Sequence, residues 1–302
     1  MSKKVSLVLS SGGARGMAHV GAIEALLTDG YEIGSVAGSS MGAVVGGVYA
    51  AGKLNEFKEW MCSLDKVDVF NLVDFTLTGN GLIRGEKVFN EIKKLIGDPN
   101  IEELSIPYAA VATDILEKKE VVFREGKLFD AMRASIAIPT VMTPFYVEKK
   151  PMIDGGVLNP LPIDAVSRSE NDLLVVVNVN ANIPYERPFA KPKVQEEEDR
   201  KYNMAMKLFK EKWKSLVPKN TTSVKKMGFF ELLSKSYDLT QDSLTYMLIK
   251  AHQPDLLIDI SREACGTFEF YRSAELIEAG SNAYENTQSV SENRRIFAKG
   301  LS

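Results

Sequence analysis

The sequence predicts an α/β layer architecture with parallel strands, and three observations predict it. Short apolar runs alternate with longer helical patterns through the first half of the chain. Those runs are apolar throughout instead of alternating with polar residues, as strands covered on both faces are. A strand, a turn and a helix also follow one another twice within the first 51 residues. At 302 residues the chain is long enough to bury a substantial core, and it is read as one domain over residues 1–302.

Residues 5–9 read as the first strand, followed by a glycine turn at 12–16 and a helix over 17–27, where Val20, Ile23, Leu26 and Leu27 recur at helical spacing. Residues 35–38 form a short second strand and 41–51 a helix of small residues. Glu86–Ile96 is helical, 108–113 and 120–123 are β-rich runs around a charged turn, and Leu128–Ser135 is a helix that stops before Pro139. Two short strands are expected in 144–154, buried strands at 173–178 and 256–260, and a final helix from about 273 to 286.

Hydrophobic residues at 45% and charged residues at 25% are near the averages of soluble globular proteins. A net charge of −3 speaks against a nucleic-acid binder, whose domains carry a basic surplus. Cys62 and Cys265 lie too far apart for a disulfide framework or a metal-ligand spacing, and are expected to be buried thiols. Lys3 and Lys4 ahead of an apolar run resemble the start of a secretory leader, but Arg15 and His19 cut that run short, and no stretch of about 20 apolar residues follows. The expected location is the cytoplasm.

The composition changes at residues 183–194, which are rich in proline and lysine, and an acidic cluster follows at 196–199. Residues 200–226 then carry nine Lys or Arg against the single acid Glu211. Met204, Leu208, Phe209, Trp213, Leu216 and Val217 fall on one helical face opposite the lysines, the pattern of a basic amphipathic helix. Residues 185–250 are therefore expected to be a lid or insertion, and 200–226 a peripheral contact with anionic lipid, a cap on the core or a contact between copies in a homo-oligomer.

Acyl transfer by a serine needs the hydroxyl on an exposed, constrained turn, beside a base and facing donors for an oxyanion. Ser40 sits in Gly38-Ser39-Ser40-Met41-Gly42, the spacing of a nucleophile elbow. Three fixed positions alone recur by chance in roughly one chain in ten of this length. Here the motif follows a strand and opens a helix, the context that the elbow requires. Gly12-Gly13-Ala14-Arg15-Gly16 offers bare backbone N–H groups at a strand-to-helix turn, with Arg15 fixing the loop or meeting an anion. A dinucleotide-binding turn is the competing reading, but Ser11 stands where its first glycine belongs. For the base there are two histidines, His19 in the first helix and His252 before a late strand, and one well-placed acid, Asp154, followed by Gly155 and Gly156. A Ser40, Asp154 and His252 triad, or an acyltransferase using His252, stays open on these residues.

The three blocks Gly12–Gly16, Gly38–Gly42 and Asp154–Gly156, in this order, resemble the motifs of patatin-like phospholipases, of the bacterial type related to the neuropathy-target-esterase patatin domains. The run Arg133-Ala134-Ser135-Ile136-Ala137-Ile138-Pro139 also resembles the segment those proteins carry ahead of the aspartate. The resemblance implies a three-layer α/β/α sandwich with a mostly parallel central sheet and a Ser40–Asp154 dyad without a catalytic histidine. It further implies an oxyanion loop of Gly12, Gly13, Ala14, Arg15 and Gly16, and hydrolysis of a lipid acyl ester, with no metal or cofactor.

Overall fold

Strand β1 (Lys3–Leu9) is the hub of the sheet, paired in parallel with β2 (Tyr31–Ser39) on one side and β7 (Leu173–Ala181) on the other. The structure is a computed structural model that describes residues 3–74, 83–185 and 228–299. From β2 the sheet continues to β3 (Tyr108–Asp114), and from β7 to β8 (Leu256–Ser261), all parallel. Three short strands, β4 (Lys119–Phe123), β5 (Phe145–Val147) and β6 (Lys150–Asp154), add an antiparallel end. The pairing runs β5-β6-β3-β2-β1-β7-β8, with β4 also on β3.

The direction of travel decides which face each connection covers. From β1 through β2 to β3 the chain moves one way, while from β7 to β8 it moves the other, so right-handed crossovers put their helices on opposite faces. Helices α1 (Ala18–Thr28) and α2 (Met41–Ala50) lie on the first face with α3 (Leu54–Ser63), α5 (Glu86–Ile96) and α6 (Leu128–Ser135). The short helix α4 (Lys66–Leu72) follows α3. Helix α7 (Phe229–His252) covers the second face together with residues 161–166, and α8 (Ser273–Lys299) returns to the first face against α1.

Both faces are apolar for that reason. Val5, Leu7 and Leu9 of β1 enter the larger core on the helical face, whereas Val8 enters the smaller one with Ala37, Val111 and Val176. Tyr108 at the start of β3 ties the two layers together, its buried hydroxyl donating to the Ala43 carbonyl of α2 at 2.7 Å.

The sequence expectations for Glu86–Ile96 and Leu128–Ser135 coincide with α5 and α6. The first helix starts later than expected, after a 3-10 turn at Gly13–Met17, and the last one runs on to Lys299. Helices α3, α4 and α7 were not among the expected elements; the aspartate that opens α4, Asp65, makes a capping box with Asp68. Cys62 is a correction: it is exposed at the end of α3, and only Cys265 is buried. Residues 186–227 lie outside the described residues, and with them the expected amphipathic helix of 200–226; the remainder of the expected lid is α7. Among the described residues no helix is long and apolar enough to cross a membrane.

Tyr108→Phe removes the donor to Ala43 from a fully buried place. It is expected to cost about 1 kcal/mol, read as a lower urea midpoint at unchanged slope.

Candidate active site

The elbow is built by close approach of backbone. Ser40 is the single residue between β2 and α2, with φ 54° and ψ −124°, a strained conformation for a side chain-bearing residue. A Cβ on Gly38 would lie 2.3 Å from the carbonyl group of Gly42, and one on Gly42 would lie 2.3 Å from the Leu9 oxygen. Both flanks are therefore closed to any larger residue. The Ser40 hydroxyl caps no N–H of α2. It donates instead to Asp154 Oδ2 at 2.5 Å, and the pair is buried, Ser40 at 4% and Asp154 at 1% exposed.

The register of β3 explains how residues 114 positions apart come to touch. Strand β4 occupies one edge of β3 along residues 110–114, so β2, which pairs at 108–111, and β6, which pairs at 112–114, must share the other edge. Strand β2 ends there with Ser39 opposite Val111, and β6 arrives antiparallel and ends with Asp154 opposite Ala112. The two strand ends meet head to head. Gly155 fits in the gap because a Cβ would sit 2.1 Å from the Val111 oxygen and 2.8 Å from Ser39 Oγ.

Residues 133–139 brace both halves. Ser135 Oγ donates to the Val111 carbonyl at 2.6 Å and accepts the Ser40 N–H at 2.8 Å, while the Ala137 carbonyl accepts the Asp154 N–H at 2.9 Å. Asp154 Oδ1 accepts from the Gly156 N–H at 2.7 Å and from the Tyr237 hydroxyl at 3.4 Å. Burial raises the Asp154 carboxyl from the ordinary carboxylate range to about 6; the hydrogen bonds from Ser40, Gly156 and Tyr237 oppose that rise.

The glycine loop divides into donors that are used and donors that are not. Ala14 N–H donates to the Thr267 carbonyl at 2.9 Å. The buried Arg15 guanidinium donates to the Val179 carbonyl, Asn180 Oδ1 and the Cys265 carbonyl, so it pins the loop to the end of β7 and to the segment after β8 instead of facing Ser40. Gly12 and Gly13 N–H have no hydrogen-bond partner among the described residues, and Gly13 lines the same cavity as Ser40. Gly16 packs directly on Met41, the residue after the elbow serine.

Neither histidine reaches the pair. His19 is fully buried with Nε2 on the Ser10 carbonyl at 2.9 Å, and burial depresses its pKa to about 4. His252 Nε2 meets Asp164 Oδ1 at 3.4 Å, at the far end of α7. Its backbone is about 22 Å along the helix from Tyr237, which touches Asp154.

Ser40 opens into a cavity of about 990 Å³ of empty space, its mouth included. It runs between α2 and helices α3 to α5, past Val44, Phe57, Phe89, Ile92 and Ile138, with Phe268 half-exposed on its wall. Among the described residues, Ser40 and Thr267 are the only polar side chains lining it, and none is charged.

Sequence reasoning placed Ser40, Asp154 and the loop but not Ser135, Tyr237 or Gln241. Ser135 lay inside a recognised block without a role. Tyr237 and Gln241 have only their i, i+4 spacing to announce them.

The family model described as patatin-like phospholipase matches residues 7–167. An uncharacterized NTE family protein of Mycobacterium tuberculosis is 36% identical over 323 aligned positions, covering 92% of this chain and 89% of that protein. Patatin-like phospholipase domain-containing protein 6 of Mus musculus is 29% identical over 184 positions, 59% of this chain and 14% of that protein. The solved structure of VipD from Legionella pneumophila is similar at a TM-score of 0.46 and 14% identity, over 97% of this chain and 67% of that one.

The Asp154 carboxyl can accept a proton from the Ser40 hydroxyl only when ionised, and burial raises it to about 6, so a Ser40 activated through this contact would react poorly well below that pH and fully above it. Labelling of Ser40 by a fluorophosphonate is expected to rise through a single ionisation near pH 6. A midpoint near 4, at the free carboxylate, would contradict control by the buried Asp154 carboxyl.

Proposed function

The chain belongs to the patatin-like phospholipase family, and from that premise we propose that it is a serine hydrolase of lipid acyl esters that works through a Ser40–Asp154 dyad and an acyl-enzyme. The observation that carries the proposal is the 2.5 Å contact from Ser40 Oγ to Asp154 Oδ2 at the head of a cavity that no charged side chain lines among the described residues. The family supports lipid acyl hydrolysis as a class; the dyad and the course of the reaction are the finer part of the reading.

The acyl chain enters the cavity, where burial of its methylenes contributes about 0.8 kcal/mol each. This places the ester carbonyl against Ser40. Ser40 Oγ attacks the carbonyl carbon as its proton passes to Asp154 Oδ2, and the oxyanion is held by the unoccupied N–H groups of Gly12 and Gly13. The start of α2 adds partial positive charge beside the same centre. Collapse expels the alcohol, which takes the proton from Asp154. Water then attacks the acyl-enzyme, gives its proton to Asp154, and the fatty acid leaves as Ser40 is protonated again. Every proton goes to and from one carboxyl, so no histidine and no metal is needed.

Burial suits Asp154 to that role. A carboxylate of ordinary pKa is a poor base at neutral pH, and one held near 6 is stronger while remaining ionised at pH 7. In this reading Arg15 and Ala14, whose donors are engaged, hold the loop in place, and Gly12 and Gly13 are the donors to the oxyanion.

A panel of simple esters, lysophospholipids and defined phospholipids tests the proposal. Ser40→Ala and Asp154→Asn are each expected to lower turnover by about 10³-fold or more with circular dichroism unchanged. Full activity in either variant, or no turnover of any ester by the native protein, would end it. Val88→Phe, which narrows the cavity between α4 and α5, is expected to lower kcat/KM for a long acyl chain relative to a short one by about tenfold.

A further inference from the structure

Oδ1 of Asp154, the oxygen that does not face Ser40, is held from the second face of the sheet. Helix α7 brings Tyr237 and Gln241 there, one turn apart on the same side. The Tyr237 hydroxyl donates to Asp154 Oδ1 at 3.4 Å, and Gln241 Nε2 donates to the Gly156 carbonyl at 3.2 Å. Gln241 is 6% exposed, an uncommon depth for an amide unless its position is used. The neighbouring turns fix the helix: Thr245 is buried, and Leu248 and Ile249 pack on the smaller core.

Gly156 has the shape of a socket for this pair. A Cβ there would lie 2.2 Å from Gln241 Nε2, 3.0 Å from Asp154 Oδ1 and 3.1 Å from the Tyr237 hydroxyl. The space that any other residue would fill at position 156 is taken by the base and its two supporters.

We propose that Tyr237 is a positioning residue for the base. Clipped by Gln241 to the Gly156 carbonyl, it fixes the Asp154 carboxyl with Oδ2 aimed at Ser40 and stabilises its ionised form. The inference rests on Asp154 acting as the base of Ser40.

The electrostatics agree with the geometry. Ser40 from the elbow, Gly156 from its own turn and Tyr237 from α7 all donate to the carboxyl, and no charged side chain among the described residues contributes to its shift. Asp238, beside Tyr237, acts on the phenol. Burial and Asp154 together raise the phenol well above its ordinary range, so Tyr237 stays protonated and a donor throughout the working pH range. Removing that donor disfavours the ionised carboxyl, and the acidic limb of the rate profile moves to higher pH.

The experiment is the pH dependence of kcat and KM for Tyr237→Phe and Gln241→Met in the full chain, on an ester that the native protein hydrolyses. Fluorophosphonate labelling of Ser40 and thermal melts run alongside. Expected for Tyr237→Phe are a kcat at pH 7 about tenfold lower, KM within about twofold and an acidic limb displaced upward, with Ser40 still labelled. Gln241→Met is expected to show the same displacement in smaller measure, and supplies the readout if the phenylalanine variant does not fold. An unmoved limb with kcat within twofold in a folded variant overturns the inference and leaves the dyad standing. A native protein that neither turns over esters nor labels at Ser40 overturns both.

Discussion

Two strands that end head to head on one edge of β3 make this site. Because β4 fills the opposite edge, β2 and β6 have a single edge to share, and each ends where it meets the end of the other. Ser40 is the first residue past the end of β2 and Asp154 the last residue of β6, so the 2.5 Å contact between them is a consequence of register. The backbone gap at Val111 and Ala112 then needs closing. Ser135 closes it by binding the Val111 carbonyl and the Ser40 N–H together, and Ala137 takes the Asp154 N–H. Register brings Ser40 and Asp154 together, and one short segment locks them.

That arrangement buries a carboxyl with no charged side chain among the described residues beside it, which ordinarily costs a buried charge several kcal/mol or drives it to neutrality. Asp154 lies between these outcomes. Burial raises its pKa, and three donors hold it at about 6, where it remains ionised at neutral pH yet accepts a proton readily. The hydrogen bonds therefore tune the group without cancelling the effect of burial. A salt bridge to Arg15 would have pulled the carboxyl down to a weaker base. Arg15 instead spends its donors on the carbonyls of Val179 and Cys265 and on the Asn180 side chain.

What the sequence disclosed was what is local. The elbow is a contiguous run whose glycines answer to contacts within a few residues or with the adjacent strand, and α5 and α6 declare themselves by spacing and by a following breaker. The meeting of Ser40 and Asp154 depends on which edge of β3 each strand occupies, which no spacing reveals; the motif resemblance supplied the partner instead. Arg15 was legible as a loop residue, but whether it faced an anion or the neighbouring carbonyls depended on β7 and on the segment after β8, both more than 150 residues away. Cys62 was misplaced because apolarity argues for burial, while its position on α3 sets it toward solvent. Tyr237 and Gln241 were illegible for a similar reason: a tyrosine and a glutamine one turn apart are ordinary on any helix, and their meaning comes from a crossover that returns beneath Asp154.

The handedness of that crossover gives the two faces of the sheet different work. The helices of the β1-to-β3 half pile onto one face and leave between them a cavity that ends at Ser40 and is lined by no charged side chain among the described residues. The β7-to-β8 connection must cross the other face, and there α7 presents polar side chains to the buried carboxyl. Had both connections lain on one side, the apolar cavity and the donors to Asp154 would compete for the same space, and a phenol and an amide would stand in a slot otherwise lined by apolar side chains. Separating them by the thickness of the sheet lets the cavity remain apolar while Asp154 keeps its donors. Gly155 and Gly156 are the points where the two requirements meet. Gly155 presses on Val111 and Ser39 within the sheet, and Gly156 admits Gln241 and Tyr237 from α7.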